Sequence, residues 1–180
     1  MKILLVISGS IAAYKSLDLI RKLQENNHTV TSIISKSGER FVTPLSVASL
    51  SGNSVYTDAD LFHAHKSMHH ISLTRSSDIV LVAPATLDII AKTAHGIADE
   101  LATTALIASN IPIIMVPAMN PAMWNSKANQ RNIHCLKSDN VTIIEPKEGL
   151  AICNEYGTGK MAEVQEIVSF IENFHKTDKK

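Results

Sequence analysis

The sequence predicts a single doubly wound α/β domain, a parallel sheet with helices on both faces. Three observations carry this. Short runs such as residues 3–7, Ile-Leu-Leu-Val-Ile, are apolar throughout, the pattern of strands buried on both faces. Between such runs lie stretches with apolar residues at helical spacing. The strand ends lead into loops bearing Ser, Thr, Gly and Pro, and in sheets of this kind ligands sit beyond the carboxyl ends of the strands.

The first strand, 3–7, leads into a helix over 11–26 that carries Ile11, Tyr14, Leu17, Ile20 and Leu23 on one face and stops at Asn26-Asn27. A second strand is expected over 29–34, and a third over 78–83, stopping at Pro84. Helices follow over 87–95 and 99–109, then a fourth strand over 112–116 ending at Pro117. A helical stretch covers 126–137, a fifth strand 141–144, and the last helix 162–173. No repeat, low-complexity tract or linker breaks the pattern. Residues 1–175 therefore read as one domain and 176–180 as a disordered basic tail.

Composition narrows the function classes. A chain of 180 residues buries roughly 70% of its unfolded surface. Seventeen basic residues balance seventeen acidic ones, and no basic cluster stands outside the tail, which argues against nucleic-acid or membrane-surface binding. The N-terminal apolar run is too short for a signal sequence, and no run reaches the length of a membrane span. Two cysteines do not suggest a disulfide framework, so a reducing cytoplasm is the expected location.

The candidate chemistry lies in a few segments. Residues 149–161 hold Cys153 in a glycine-punctuated loop, where a thiol can exchange protons with a bound reactant; the alternative is a small core residue. Ser8-Gly9-Ser10-Ile11 allows close backbone approach and offers helix-start N–H groups to an anion, or is simply a turn with Ser10 as N-cap. It is neither a G-x-G-x-x-G fingerprint nor a P-loop. Ser35, Ser37 and Thr86 bring hydroxyls to the same edge, a pattern that suits the polyol chain of a mononucleotide such as FMN; capping is the plainer role.

Half of the eight histidines fall in 63–70. With no carboxylate or cysteine cluster beside them a zinc site is disfavoured, and His70 is the better candidate for a general base. Asn120, bracketed by Pro117 and Pro121, can hold a carboxylate by hydrogen bonds or serve as a turn residue. Trp124 reads as an anchor for the following helix and Cys135 as an inert packed thiol.

Taken together, these segments make the chain resemble the homo-oligomeric flavin-containing cysteine decarboxylases over essentially its whole length. The resemblance rests on Ser8-Gly9-Ser10-Ile11-Ala12-Ala13-Tyr14-Lys15, His70-Ile71-Ser72-Leu73, Ala83-Pro84-Ala85-Thr86 with Ile90-Ala91-Lys92, and Gly96-Ile97-Ala98-Asp99. It rests most specifically on residues 117–124, in the pattern P-x-M-N-x-x-M-W, followed by the cysteine loop.

The resemblance implies a Rossmann-like, flavodoxin-like sheet, FMN as cofactor, and a homo-oligomer, a trimer or an assembly of trimers, with FMN at the subunit contact. It implies His70 as active-site base, Asn120 as the grip on the substrate carboxylate, and Cys153 as proton donor in a final reduction. Gly9, Ser10, Ile11, Ser35, Ser37, Thr86, Leu87, Asp88, Ile89 and Ala118 would line FMN, and Leu150, Ile152 and Met161 a flap over the substrate. Two departures stand out: Leu87-Asp88-Ile89 replaces the family's Ala-Asn-Thr, and Asn154 and Lys160 stand where the family has glycine and arginine.

The implied reaction is decarboxylation of 4′-phosphopantothenoylcysteine to 4′-phosphopantetheine in coenzyme A biosynthesis, through thioaldehyde and enethiolate intermediates. Because the chain ends just after its last helix, the phosphopantothenate–cysteine ligase that makes the substrate is expected on a separate polypeptide. A peptidyl-cysteine decarboxylase would not need Cys153. A flavin prenyltransferase would lack the 117–124 motif. A non-catalytic FMN-binding regulatory subunit would carry long acidic extensions that this chain lacks.

Overall fold

Along β1 (Lys2–Ile7) every residue after Lys2 is buried, because successive side chains feed two cores. The computed structural model describes residues 1–61, 69–150, 152 and 154–177. Ile3, Leu5 and Ile7 join one core with α1 (Tyr14–Glu25), α2 (Pro44–Ser51) and α8 (Val164–Thr177). Leu4 and Val6 join the other with α3 (His69–Arg75), α4 (Leu87–Ala94), α5 (Leu101–Ile107) and α7 (Lys127–Ser138). Each leucine taken fully out of water in these cores contributes about 2 kcal/mol. This two-sided burial is the physical reason the strands read as unbroken apolar runs.

The main sheet has six parallel strands in the order β3 (Val55–Tyr56), β2 (Thr29–Ile34), β1, β4 (Ile79–Ala85), β5 (Ile113–Pro117), β6 (Thr142–Ile143). The chain winds outward from β1 to β3, then crosses back to pair β4 on the other side of β1. The order therefore reverses between β1 and β4, and a crevice opens beyond their carboxyl ends, where doubly wound sheets bind ligands. The expected doubly wound α/β fold is the fold observed.

Several local details differ from expectation. β4 does not stop before Pro84 but continues to Ala85; a register irregularity between Val82 and Ala85 accommodates the proline's missing donor. The first helix is split into a 3₁₀ turn at Ile11–Ala13, capped by Ser10 through the Ala12 N–H, and α1. Part of the segment expected to be a loop is regular: β7 (Lys147–Leu150) and β8 (Tyr156–Lys160) form an antiparallel hairpin. α2 and β3 complete the edge of the sheet, and α8 reaches Thr177, into the stretch read as a tail. Among the described residues, no helix is long and apolar enough to cross a membrane.

Candidate active site

Ser8, buried at the end of β1, ties the two sides of the crevice together. Its hydroxyl donates to the Pro84 carbonyl at 2.7 Å and accepts from the Thr86 N–H at 3.1 Å. Thr86 in turn caps α4, its side chain accepting from the Ile89 N–H. The β2 end is held by Ser35, whose hydroxyl accepts from the Gly38 N–H at 3.0 Å and lies 3.2 Å from that of Ser37. Ser10, Ser37 and Thr86 thus present three hydroxyls around one opening.

Glu100 fixes the same loop from α5, accepting from the Lys36 N–H at 2.9 Å. Burial pushes its carboxyl above the ordinary carboxylate range, an effect the Lys36 hydrogen bond offsets only in part. An acid whose pKa is raised on folding favours the folded state at low pH and loses that contribution as pH rises through its folded pKa. Glu100→Gln keeps an acceptor for Lys36 without the buried charge. We expect its Tm to exceed that of the unaltered protein at neutral pH, with the gap closing toward about pH 4; melting curves across this range check it.

The fourth wall is built by 117–124 and the hairpin. Asn120 caps α6 (Pro121–Asn125): its Oδ1 accepts from the Ala122 and Met123 N–H groups at 2.7 and 3.3 Å, and Pro121 takes the first helical position, where no N–H is needed. Trp124 is buried in the second core, and its carbonyl accepts from the Asn129 and Gln130 side chains, which anchors α7. With its Oδ1 committed to the cap, Asn120 directs Nδ2 at a carboxylate, that of Glu155 on the hairpin, at 2.7 Å.

The hairpin lies against this turn through its glycines. The Met119 N–H donates to the Gly159 carbonyl at 2.9 Å. A Cβ on Gly159 would overlap the Met119 carbonyl oxygen, and one on Gly157 would sit 2.9 Å from Pro121 Cβ. The glycines are there for close approach.

Together these elements enclose a cavity of about 740 Å³. Of the residues singled out in the sequence, Gly9, Ser10, Ile11, Ser37, Thr86, Leu87, Asp88 and Ala118 line it, as do Asn120, Leu150, Ile152 and Met161. Ser35 and Ile89 are buried behind the wall rather than lining it. His70 stands half-buried in the first turn of α3, which packs against α5, and is not among the lining residues. Cys153 lies outside the described residues, as do His63 and His65.

Asp88 does not stand alone: Lys92 lies 3.3 Å from it and 3.1 Å from Asp99. Burial opposes the Lys92 charge, but the two carboxylates outweigh it and raise the lysine's pKa. Cys135 is half-buried, its Sγ 3.7 Å from the Ala94 carbonyl and from the Asp139 carboxylate. Burial and that negative charge push its thiol up, away from reactivity.

A crevice at the switch point, lined by the hydroxyl-bearing residues Ser10, Ser37 and Thr86 and by apolar residues such as Ile11, Leu87 and Ala118, is the kind of site at which doubly wound α/β proteins bind nucleotides. Residues 1–176 match the Flavoprotein family, to which the chain belongs.

The coenzyme A biosynthesis bifunctional protein CoaBC of Vibrio vulnificus is 40% identical over 173 residues, 96% of this chain and 43% of that protein. The chain thus spans less than half the length of this curated relative. A solved mutant of PPC decarboxylase, complexed with pantothenoylaminoethenethiol, is 31% identical with a TM-score of 0.90, covering 97% of this chain and 98% of that one. The FMN-binding protein AtHal3 is 31% identical with a TM-score of 0.87, covering 98% and 97%.

Proposed function

We propose that this chain is a phosphopantothenoylcysteine decarboxylase, which with FMN converts 4′-phosphopantothenoylcysteine to 4′-phosphopantetheine and CO2. The observation that carries the reading is the carboxylate grip of Asn120 at the wall of a cavity whose opposite side is a hydroxyl-lined loop cluster. The cavity fits the cofactor chemically. Ser10 and Ser37 offer hydroxyls for a phosphate and polyol chain, and Leu87 and Ala118 give an apolar wall for a flat ring system. The names of the bifunctional relative and of the two solved structures support the same reading.

Bound FMN supplies the two-electron oxidation of the substrate CH2–SH to a thioaldehyde, and the hydride returned after CO2 has left. The protein holds the substrate and manages protons. Asn120 Nδ2 exchanges the Glu155 carboxylate for that of the substrate and fixes it beside the ring. The thioaldehyde is β to this carboxylate, so CO2 departs and leaves a stabilised enethiolate. Leu150 and Ile152, exposed at the hairpin tip, close over the apolar part of the substrate and exclude water. His70 acts as the base, and Cys153 supplies the proton to the carbon adjacent to the one that receives the hydride.

Since His70 does not line the cavity of its own chain, it is supplied by a neighbouring copy in a homotrimer or an assembly of trimers. The exposed Phe41 and Leu45 are candidates for that contact. A phosphopantothenate–cysteine ligase, on the same polypeptide or another, would provide the substrate.

The test is to load the protein with FMN, add 4′-phosphopantothenoylcysteine and weigh the product. Loss of CO2 alone is expected. Cys153→Ser should instead accumulate a product also lacking two hydrogens, stopped at the enethiol. A protein that binds no flavin, or releases no CO2, would overturn the reading.

A further inference from the structure

Glu100, at the head of α5, commits a buried carboxylate to one backbone bond. The residue is only 7% exposed, and its carboxylate reaches across to the loop after β2, accepting from the Lys36 N–H at 2.9 Å. Burial disfavours the charged form, and Asp99 and Asp58 add to that, while the Lys36 bond and the charge of Lys92 counter it only in part. Lys92 is itself engaged by Asp88 and Asp99, at 3.3 and 3.1 Å. A glutamine would offer the same N–H a neutral acceptor without a buried charge. Ionisable groups held against their solvation in this way gather at functional sites.

The loop that Glu100 grips is the one that brings Ser37 to the cavity. Its first residue is tied to β1: the Ser35 N–H donates to the Ile7 carbonyl at 3.0 Å. Its last lies against the β1–α1 turn, where a Cβ on Gly9 would stand 2.5 Å from Ser37 Oγ. Between them the Lys36 side chain is exposed, and the Lys36 amide is held from outside the loop by Glu100. Without that acceptor the peptide between the two serines is free to turn and to carry the Ser37 hydroxyl away from the opening.

We propose that Glu100 is a positioning residue for the flavin: its carboxylate fixes the Ser35–Lys36–Ser37 backbone before the cofactor arrives, so that Ser37 meets the phosphate and polyol chain without the loop having to order. The assignment rests on the reading of the cavity as an FMN site. A loop already held in its bound shape loses less freedom when the ligand enters, and a charged acceptor holds an N–H about twice as strongly as a neutral one. Asp58, at the same helix start, has a different task, since its Oδ1 accepts from the Leu101 N–H of α5 itself at 3.1 Å.

The test follows FMN release on dilution of the FMN-loaded protein and of Glu100→Gln, Glu100→Ala and Asp58→Asn, read as the recovery of free-flavin fluorescence, with melting curves of the flavin-free chains alongside. Glu100→Ala should raise the FMN Kd about tenfold, and Glu100→Gln about threefold. Asp58→Asn should leave it unchanged. Glu100→Gln should nonetheless melt above the unaltered protein at neutral pH, so that binding and stability move in opposite directions, which a purely structural carboxylate would not produce. FMN held as tightly by Glu100→Gln as by the unaltered protein would overturn the proposal, because a neutral acceptor would then suffice. Equal weakening in Asp58→Asn would reduce Glu100 to one of two anchors of α5 and overturn it too. If the unaltered protein holds no FMN, the cofactor reading fails first and the positioning role falls with it.

Discussion

Asn120→Asp should lower kcat/KM for decarboxylation by about a hundredfold while leaving α6 folded. Aspartate is as good an N-cap as asparagine, so the bonds from Ala122 and Met123 to the side-chain oxygen survive. What is lost is the Nδ2 donor that meets a carboxylate at 2.7 Å. A hydrogen bond to a charged group is worth about 1.5–3 kcal/mol, and the new negative charge adds repulsion against the substrate carboxylate. Steady-state kinetics check the loss, and an unchanged melting temperature shows that it is local. Full activity in this variant would remove Asn120 from the reaction.

The second large effect is expected from one methyl group at Gly159. In Gly159→Ala the Cβ collides with the Met119 carbonyl oxygen, and the strand cannot retreat without breaking the bond from the Met119 N–H to its own carbonyl. Overpacking of this kind costs about 1–3 kcal/mol, taken here from the docking of the hairpin rather than from the main sheet. We expect kcat/KM to fall about tenfold or more, cleavage by protease within 149–161 to accelerate, and the melting temperature to move little. Gly157→Ala, which meets only the side chain of Pro121, should be milder.

These two glycines also show what could be read from the sequence and what could not. The sheet's inner strands were legible as strands because β1, β4 and β5 are buried on both faces and leave no polar alternation. The edge was not. β3 has only two residues, and α2 buries little beyond Val47 and Ser51, so periodicity is faint there. Its local signals were present all the same: Thr43 as N-cap, Pro44 at the helix start and Gly52 in the left-handed conformation at its end. Glycines in 149–161 read as loop punctuation, yet they allow the hairpin to lie against the Met119–Asn120–Pro121 backbone, a tertiary demand that sequence spacing does not express.

The site divides in the same way. Residues that follow directly from strand ends, such as Gly9, Thr86 and Asn120, fall around the cavity because the topology brings every strand's carboxyl end to one edge. Ser35 and Ile89 sit in the same segments but turn inward, and alternation at a strand or helix end is what separates them from Ser37 and Asp88. Glu100 carried no motif of its own. Its role depends on its side chain reaching across to the loop after β2. His70 is a different case: its sequence motif marks it, yet it does not line the cavity of its own chain.

A redox-neutral decarboxylation at the β1–β4 crevice fixes the balance of carbon dioxide against flavin. The FMN-loaded protein would be given excess 4′-phosphopantothenoylcysteine under anaerobic conditions without added reductant, and CO2 and thiol product counted per flavin. Many turnovers are expected, with equal amounts of CO2 and 4′-phosphopantetheine and oxidised flavin at the end. A single burst of CO2 matching the flavin present, with the flavin left reduced, would contradict it.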